Sequence, residues 1–355
     1  PDLLRREAKA FANRALLGGG KKFRPPRRKQ ALVARVVERF GWGRSLIRWW
    51  TRKSIEKLSG THYPAPYRAL DSVIHGFGRS LEDGLAYEAS LVGELAASPV
   101  SKNLIDLFLS SEDARRGKRG SVGSEDQECR RVGLLGAGVM GGGLAALLAQ
   151  KGFRVRMKDI APEALQTGLR KVHELYSSLQ RKRRMTRREA ANCMAAISVT
   201  TDYSGFAPAR LVIEAVVENM DVKKRVLREV EEKVSPEAVL ATNTSALSVT
   251  EIQSALSRPG RCVGLHFFNP VGKMLLVEVV RGRESSEESL QAAEALAREL
   301  GKVPVRVEDG PGFVVNRLLS PYLNEAVRLL EEGFSPAAVD RAARKFGMPM
   351  GPFAL

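Results

Sequence analysis

The residues best suited to acid–base chemistry lie at or near the ends of short apolar runs in the second half of the chain. His266 closes the run RCVGLHFFNP, and Glu278 lies within the next run, MLLVEVV. Asn243, Thr244 and Ser245 follow the run AVLAT. An imidazole exchanges a proton near neutral pH, and amides and hydroxyls can bind a substrate oxygen. These residue types suit the removal of a proton from an alcohol.

A glycine cluster near the middle of the chain has the spacing of a dinucleotide-binding turn. Gly136, Gly138 and Gly141 form GxGxxG within GLLGAGVMGGG, between a short apolar run and an apolar helical stretch. Gly136 would permit the tight turn, Gly138 the approach of a pyrophosphate, and Gly141 close packing of helix on strand. Asp159 ends the next apolar run, where an acid accepts hydrogen bonds from the adenosine ribose.

Asp159 also bears on the choice of cofactor. Its carboxylate would repel a 2′-phosphate, and the following Ile160 brings no compensating cation. Strand alternation would send Arg154, Arg156 and Lys158 to the face opposite Asp159. We therefore expect NAD rather than NADP.

The elements that would position these residues change in character at about residue 131. From there, short apolar runs alternate with helical patterns such as DVKKRVLREVEEKV. This alternation predicts an α/β fold, a Rossmann-type doubly wound parallel sheet with helices on both faces. Ligands of such sheets bind at the carboxyl ends of the strands, where the residues described above would lie. From residue 313 the pattern, FVVNRLLSPYLNEAVRLLEEG, is helical throughout.

Helical spacing also predominates before residue 113, at 31–40, 45–58 and 80–98, whereas 61–70 contains two prolines and is predicted to be a connection. The chain begins at Pro1 without Met and stops at GPFAL, so we expect a fragment of a longer protein. Four regions are predicted: helical 1–112, a Gly-, Ser- and charge-rich linker at 113–130, a dinucleotide-binding domain at 131–310, and the start of an all-helical domain at 311–355.

The composition is that of a globular protein with a basic surface. The net charge is +17, and no apolar run approaches the ~20 residues of a membrane span. Cys129, Cys193 and Cys262 are widely spaced, which gives no metal-ligand pattern and suggests a reducing compartment. The basic runs at 21–29 and 181–188 lack interleaved aromatic residues and any nucleic-acid-binding motif. The absence of these features favours the interpretation of the basic runs as a solvated face, or as a surface that attracts a substrate with several phosphates.

Seven motifs resemble the 3-hydroxyacyl-CoA dehydrogenase region of the multifunctional fatty-acid β-oxidation alpha subunits, a hydratase/dehydrogenase fusion family. They follow one another in family order and spacing over about 131–320: GLLGAGVMGGG, MKDI, VIEAVVEN, ATNTSALSV, GLHFFNPV, KMLLVEVVRG and GPGFVVNRLL. SGTHYPAPYRAL resembles the stretch that joins the hydratase to the dehydrogenase. The resemblance therefore implies that residues 1–112 are the helical C-terminal part of a crotonase-like hydratase domain with its connector.

The resemblance implies NAD-dependent oxidation of the 3-hydroxyl of an L-3-hydroxyacyl-CoA to a ketone. His266 would be the general base, and Glu278 would pair with it and stabilise its imidazolium form. Ser245 and Asn316 would hydrogen-bond the substrate oxygen. The cofactor-contacting positions that it implies, besides the glycines, are Met140, Asp159, Val217, Glu218, Lys223, Ser245 and Asn269, with Asn243 beside them.

Structural roles are the alternatives for these residues taken singly. His266 could be a core imidazole bonded to a backbone carbonyl, Ser245 a helix cap, and Asn316 a polar residue on a helix face. Glu278 could be a solvated strand residue. Lys223 could be a surface charge, and Glu218 an acid favoured by a helix N-terminus.

The resemblance further implies an acyl-CoA substrate, a thiolase subunit as partner in the parent complex, no nucleic-acid partner, and a bacterial cytoplasmic location, with the mitochondrial matrix as the alternative. Two other functions stay open. Enoyl-CoA hydration could be the main activity of the parent protein, although residues 1–60 lack the glycine-rich, acid-bearing hydratase motif. A non-catalytic dinucleotide- or nucleic-acid-binding protein would leave His266, Glu278 and Asn316 without a task.

Overall fold

The computed structural model describes residues 8–9, 12–13, 41–116 and 130–355. The predicted helix at 31–40, the basic run at 21–29, Cys129 and most of the predicted linker lie outside these residues. The chain divides into two compact units, Pro1–Lys102 and Asn103–Leu355.

The described part of the first unit is helical, as predicted. Its helices are α1 (Gly41–Ser59), α2 (Ala65–Gly76), α3 (Leu81–Ala97) and the beginning of α4 (Pro99–Arg116). The predicted connection at 61–70 is wrong for its second half, because α2 begins at Ala65. Pro64 is its N-cap and Pro66 lies in its first turn, where proline's fixed φ is compatible with the helix and its missing N–H leaves no bond unmade.

The end of α4 extends into the predicted linker. Residues 113–116 form its last turn rather than irregular chain. Glu112 pairs there with Arg115 at 3.0 Å, one helical turn away. Oppositely charged residues at this spacing stabilise a helix. A high content of charged and polar residues was therefore not sufficient to predict a linker at 113–116.

The second unit is built around one sheet of eight strands in the described residues, in the order β3-β2-β1-β4-β5-β6-β7-β8. The strands are β1 (Arg131–Leu135), β2 (Arg154–Lys158), β3 (Ile197–Thr200), β4 (Leu211–Glu214), β5 (Val239–Thr242), β6 (Cys262–Phe267), β7 (Leu276–Arg281) and β8 (Val303–Glu308). The helices between them are α5 (Val139–Gln150), α6 (Pro162–Arg181), α7 (Arg187–Ala195), α8 (Met220–Glu231), α9 (Val249–Gln253) and α10 (Glu287–Glu299).

The predicted doubly wound α/β fold is confirmed. Every residue of β4, β5 and β6 is buried, as expected for strands covered on both faces. Apolar residues of α5, α6 and α10 belong to one core cluster, and those of α8 and α9 to another. One strand departs from the predicted parallel arrangement, because β7 runs antiparallel to β6. The loop at 268–275 is too short for the crossover that a parallel pair requires.

The final segment is helical, as the pattern from residue 313 predicts. It forms α11 (Val315–Glu331) and α12 (Pro336–Phe346). Ser335 caps α12 by accepting a hydrogen bond from the Ala338 N–H. In the described part of the chain, no helix combines the length and the apolar composition that are needed to cross a membrane.

Candidate active site

The glycine turn joins β1 to α5, and each of its three glycines has a separate structural reason. Gly136 has φ +101°, and a Cβ there would meet the Ala215 carbonyl. A Cβ at Gly141 would meet the carbonyl of Gly136, whereas one at Gly138 would project into open space. The first and third glycines therefore permit close backbone packing, and the second leaves room at the N-terminus of α5. Its unpaired N–H groups suit a pyrophosphate.

Asp159 connects the end of β2 to this turn. Its Oδ2 accepts a hydrogen bond from the Ala137 N–H at 2.7 Å. A pocket of about 420 Å³ opens beside it, and five of the predicted cofactor residues line it: Gly136, Gly138, Met140, Asp159 and Val217. The turn, the helix N-terminus and the acid are thus arranged as a dinucleotide requires, and these residues would hold NAD.

One inference about this pocket is wrong. Strand alternation placed Lys158 on the face away from Asp159, but Lys158 lines the same pocket. Its Nζ lies 4.4 Å from the ring centroid of Tyr203. The pocket crosses the end of β2, so side chains from both faces of the strand reach it. Arg225 on α8, which the sequence analysis missed, also lines it.

His266 and Glu278 are brought together by the antiparallel pairing of β6 and β7. They are direct partners in the register, and His266 Nδ1 lies 2.7 Å from Glu278 Oε2. The two residues are 4% and 1% exposed. Glu278 is therefore not a solvated strand residue, and His266 Nδ1 meets a carboxylate rather than a backbone carbonyl.

Glu278 also receives the N-terminus of α11. Its Oε1 accepts hydrogen bonds from the N–H groups of Val314 at 3.0 Å and Val315 at 2.9 Å. Burial raises the pKa of Glu278, but the hydrogen bonds from His266 and from these two N–H groups outweigh it, so the pKa lies below its usual value. An ionised carboxylate only accepts, so Nδ1 bears the proton and Nε2 of a neutral ring is left as a base.

Aromatic side chains enclose the imidazole. The ring of Phe268 lies 4.4 Å from that of His266, and the ring of Phe313 lies 5.7 Å from it. Phe313 is buried and has φ +49°, an uncommon conformation for a residue with a bulky side chain. It directly precedes the two N–H groups that bind Glu278. The sequence analysis missed Phe313, and the only signal was its place in the motif GPGF.

The two predicted substrate-binding residues meet. Asn316 Nδ2 donates a hydrogen bond to the Ser245 carbonyl oxygen at 3.1 Å. Ser245 is not a helix cap, because Ser248 caps α9 by accepting from the Glu251 N–H. Asp309 supports the same helix start by accepting from the N–H groups of Val249 and Thr250.

Lys223 is buried rather than a surface charge. Its Nζ lies 2.8 Å and 3.1 Å from the two carboxylate oxygens of Glu214, and 3.2 Å from Glu218 Oε2. Its side chain is 0% exposed. The prediction that Lys223 contacts the cofactor stays a prediction, and the contacts that the structure shows are with the two carboxylates.

Glu218 connects this ion pair to the turn after β5. Its Oε1 accepts hydrogen bonds from Thr244 Oγ1 at 2.6 Å and from the Ser245 N–H at 2.8 Å. Burial raises the pKa of Glu218, but these hydrogen bonds and the Lys223 charge bring it below its usual value. Glu214 was missed, although an acid at the end of the buried run LVIE was a signal.

The two asparagines of the predicted set lie in different surroundings. Asn243 Oδ1 accepts from the Phe267 N–H at 2.9 Å, which joins the ends of β5 and β6. Asn269 is exposed and precedes Pro270 through a cis peptide bond. Lys302, also missed, is buried and donates from Nζ to the Met274 carbonyl at 2.7 Å, which holds the loop that contains Asn269.

Two domains of one protein family match adjoining parts of the chain. The family described as "3-hydroxyacyl-CoA dehydrogenase, NAD binding domain" matches residues 131–310. The one described as "3-hydroxyacyl-CoA dehydrogenase, C-terminal domain" matches residues 312–355. The first match covers the whole sheet, the glycine turn and the pair of His266 and Glu278, and the second covers Phe313 and the helices α11, with Asn316, and α12.

Individual proteins agree with these matches. The fatty acid oxidation complex subunit alpha of Shewanella baltica is 37% identical over 328 residues, which cover 92% of this chain and 46% of that protein. The chain thus spans about half the length of the curated relatives it matches. The solved (S)-3-hydroxybutyryl-CoA dehydrogenase of Ralstonia eutropha is 40% identical, with a TM-score of 0.62 over 63% of this chain and 80% of that one. The Escherichia coli 3-hydroxybutyryl-CoA dehydrogenase is 39% identical, with a TM-score of 0.61 over 63% of this chain and 48% of that one.

Proposed function

The chain belongs to the 3-hydroxyacyl-CoA dehydrogenase family, and we propose that it oxidises the 3-hydroxyl of an L-3-hydroxyacyl-CoA to the ketone with NAD, as the dehydrogenase part of a fatty-acid oxidation alpha subunit. The family is one of oxidoreductases, and residues 131–310 are its NAD-binding domain. The observation that carries the proposal is the buried pair of His266 and Glu278. It lies at the same edge of the sheet as the glycine turn.

His266 is the general base in this mechanism. Its Nε2 accepts the proton of the substrate 3-hydroxyl as the C–O bond becomes a carbonyl. The glycine turn and Asp159 would hold NAD, which would supply the acceptor for the hydride of carbon 3. Glu278 stays ionised because its pKa is lowered, and its negative charge stabilises the imidazolium that forms. The proton is then released from His266 to solvent.

Asn316 and Ser245 orient the substrate oxygen. Asn316 lies in the first turn of α11, and Ser245 lies in the turn after β5. Their contact joins the C-terminal helical segment to the sheet, while Glu278 binds the start of the same helix. The substrate oxygen would therefore be held by groups whose positions are fixed relative to the base, which lowers the entropic cost of reaction.

The substrate and partners follow from the family and from charge. A net charge of +17 suits a coenzyme A thioester with its phosphates. No nucleic-acid partner is proposed, because the basic runs carry no nucleic-acid-binding motif. A thiolase subunit is the proposed protein partner, and the bacterial cytoplasm the proposed location, because the relatives are bacterial alpha subunits of a fatty acid oxidation complex. Residues 1–112 are proposed to derive from the hydratase domain, with 131–310 and 311–355 as the two parts of the dehydrogenase.

The first experiment is to follow NADH fluorescence before and after acetoacetyl-CoA is added, in one cuvette. Binding followed by NADH consumption is the expected result. Binding without consumption would leave the nucleotide site intact and refute turnover by this chain. No binding by a folded sample would refute the proposal. Hydration of crotonyl-CoA and salt-dependent retention on DNA, measured on the same sample, test the two alternative functions.

A further inference from the structure

A fully buried carboxylate that the proposed chemistry does not use lies beneath the site. Glu214 is the last residue of β4 and is 0% exposed. It accepts hydrogen bonds from Thr242 Oγ1 at 2.6 Å, from the Val216 N–H at 2.7 Å and from Lys223 Nζ at 2.8 Å. A buried charge is stable only with such partners, so Glu214 and Lys223 depend on each other.

Lys223 stands between two carboxylates of different exposure. Glu214 holds it from the sheet side, and Glu218, whose side chain is 41% exposed, meets it from the site side. Lys223 itself has no exposed surface, and its contact on the site side is with Glu218 Oε2 at 3.2 Å. A cation in surroundings of low dielectric constant fixes the carboxylates on either side of it.

Glu218 extends the chain of contacts to the substrate-binding residues. It binds Thr244 Oγ1 and the Ser245 N–H, and the Ser245 carbonyl oxygen receives Asn316. An unbroken series of polar contacts therefore runs from Glu214 in the sheet to Asn316 on α11. All its hydrogen-bond distances lie between 2.6 and 3.2 Å.

We propose that Glu214 is a positioning residue of the dehydrogenase site, and that Lys223 acts as the intermediary between Glu214 and Glu218. Glu214 holds Lys223, Lys223 fixes the Glu218 carboxylate, and Glu218 fixes the turn that presents Ser245 and Asn316 to the substrate. This inference rests on the proposed function, because it assigns a role relative to that substrate.

A purely structural role for Glu214 makes a different prediction, and a double variant separates the two. Glu214→Gln and Lys223→Met together remove one negative and one positive charge, so no uncompensated buried charge is left. Thermal stability should then recover relative to either single variant. Glu218 has still lost its cation, so kcat/KM for acetoacetyl-CoA should stay lowered about tenfold or more, the effect of losing one charged hydrogen bond.

Thr242→Val is the matched control. It removes the hydroxyl that binds Glu214 but keeps the contacts from Glu214 through Lys223 to Glu218. It should lower the melting temperature and leave kcat/KM unchanged. NADH affinity is measured by fluorescence in each variant and kcat/KM is taken at saturating NADH, because Lys223 is itself a predicted cofactor contact.

Glu218→Gln offers a second route if the double variant does not fold. Glu218 is partly exposed, so this variant should keep its stability and reproduce the loss in kcat/KM. Recovery of kcat/KM together with melting temperature in the double variant would overturn the inference. So would unchanged kcat/KM in Glu218→Gln, or a loss in Thr242→Val as large as that of the double variant. Wild-type protein that neither binds NADH nor consumes it would instead refute the proposed function.

Discussion

The two ends of the site are built on different principles. The nucleotide end comes mainly from one stretch, 131–160, with Val217 and Arg225 completing the lining of its pocket. It is shaped mainly by the absence of side chains at Gly136, Gly138 and Gly141. The proposed catalytic end, called the catalytic end below, combines the segments 214–218, 242–245, 266–278 and 313–316, and it depends on buried charges. One end is a cavity with a helix N-terminus, and the other is a network of paired ions.

This difference determines how each end should respond to substitution. A side chain added at the nucleotide end acts by occupying space. Its effect depends on whether that space is already filled by protein atoms or is left open for the ligand. When a charged group at the catalytic end is removed, its partner is left buried without an opposite charge. The effect of the substitution therefore extends along the network. The predictions below test this contrast, from the largest expected effect to the smallest.

Replacing His266 with Ala should give the largest loss. Without the base, turnover should fall by about two to four orders of magnitude, the usual contribution of general acid–base catalysis. NADH binding should persist, because the glycine turn does not involve His266. Steady-state kinetics and NADH fluorescence measure the two separately. Simultaneous loss of both would show that the two ends are not independent.

Two glycine substitutions at the nucleotide end compare a position packed against the protein's own backbone with a position that faces the space left for the ligand. Gly138→Val places its side chain in open space, so the protein should fold with an almost unchanged melting temperature and bind NADH more weakly by about a hundredfold, the cost of a lost phosphate approach.

Gly136→Ala is the counterpart, because its Cβ meets the Ala215 carbonyl and its φ is positive. It should lower the melting temperature, whatever its effect on NADH affinity. Equal melting temperatures for the two variants would contradict the distinction between the first and second glycines.

Asp159→Ala should have a moderate effect on cofactor choice. Loss of the carboxylate removes repulsion of a 2′-phosphate, and Lys158 and Arg225 already line the same pocket. NADH affinity should fall about tenfold while NADPH affinity changes less, which narrows the preference for NADH over NADPH. Dissociation constants for both nucleotides measure this. An unchanged ratio would show that Asp159 only supports the turn through its bond to Ala137.

The smallest effect concerns acid stability at the catalytic end. The pKa of Glu278 in the folded protein lies below the unfolded value of 4.5, so its contribution to stability is present above pH 4.5 and is lost as the pH falls through the folded value. Glu278→Gln should therefore be less stable than wild type at pH 7, and the gap should narrow below pH 4.5. Unfolding by urea at several pH values measures the gap. A gap that does not vary with pH would mean that the charge of Glu278 contributes nothing to stability.

Much of the nucleotide end could be predicted because its determinants are close together in the chain. GxGxxG spacing, a following helix and an acid after the next strand are local features, and the structure places them as predicted. The one local error was the inference that Lys158, on the opposite face of the strand, would stay away from Asp159; the pocket spans the strand end, where side chains from both faces reach it.

The sequence by itself determined the doubly wound fold, the nucleotide turn and, through the family resemblance, the candidate set that includes His266, Glu278 and Asn316. Only the tertiary structure decided how those residues meet. It reversed β7 so that Glu278 pairs with His266, brought the N-terminus of α11 onto Glu278, and buried Lys223 between Glu214 and Glu218. The physical reason is that apolar periodicity and turn chemistry act between neighbours in the chain. The partners of a buried charge are chosen by packing between segments that are distant in sequence, and no local pattern specifies them.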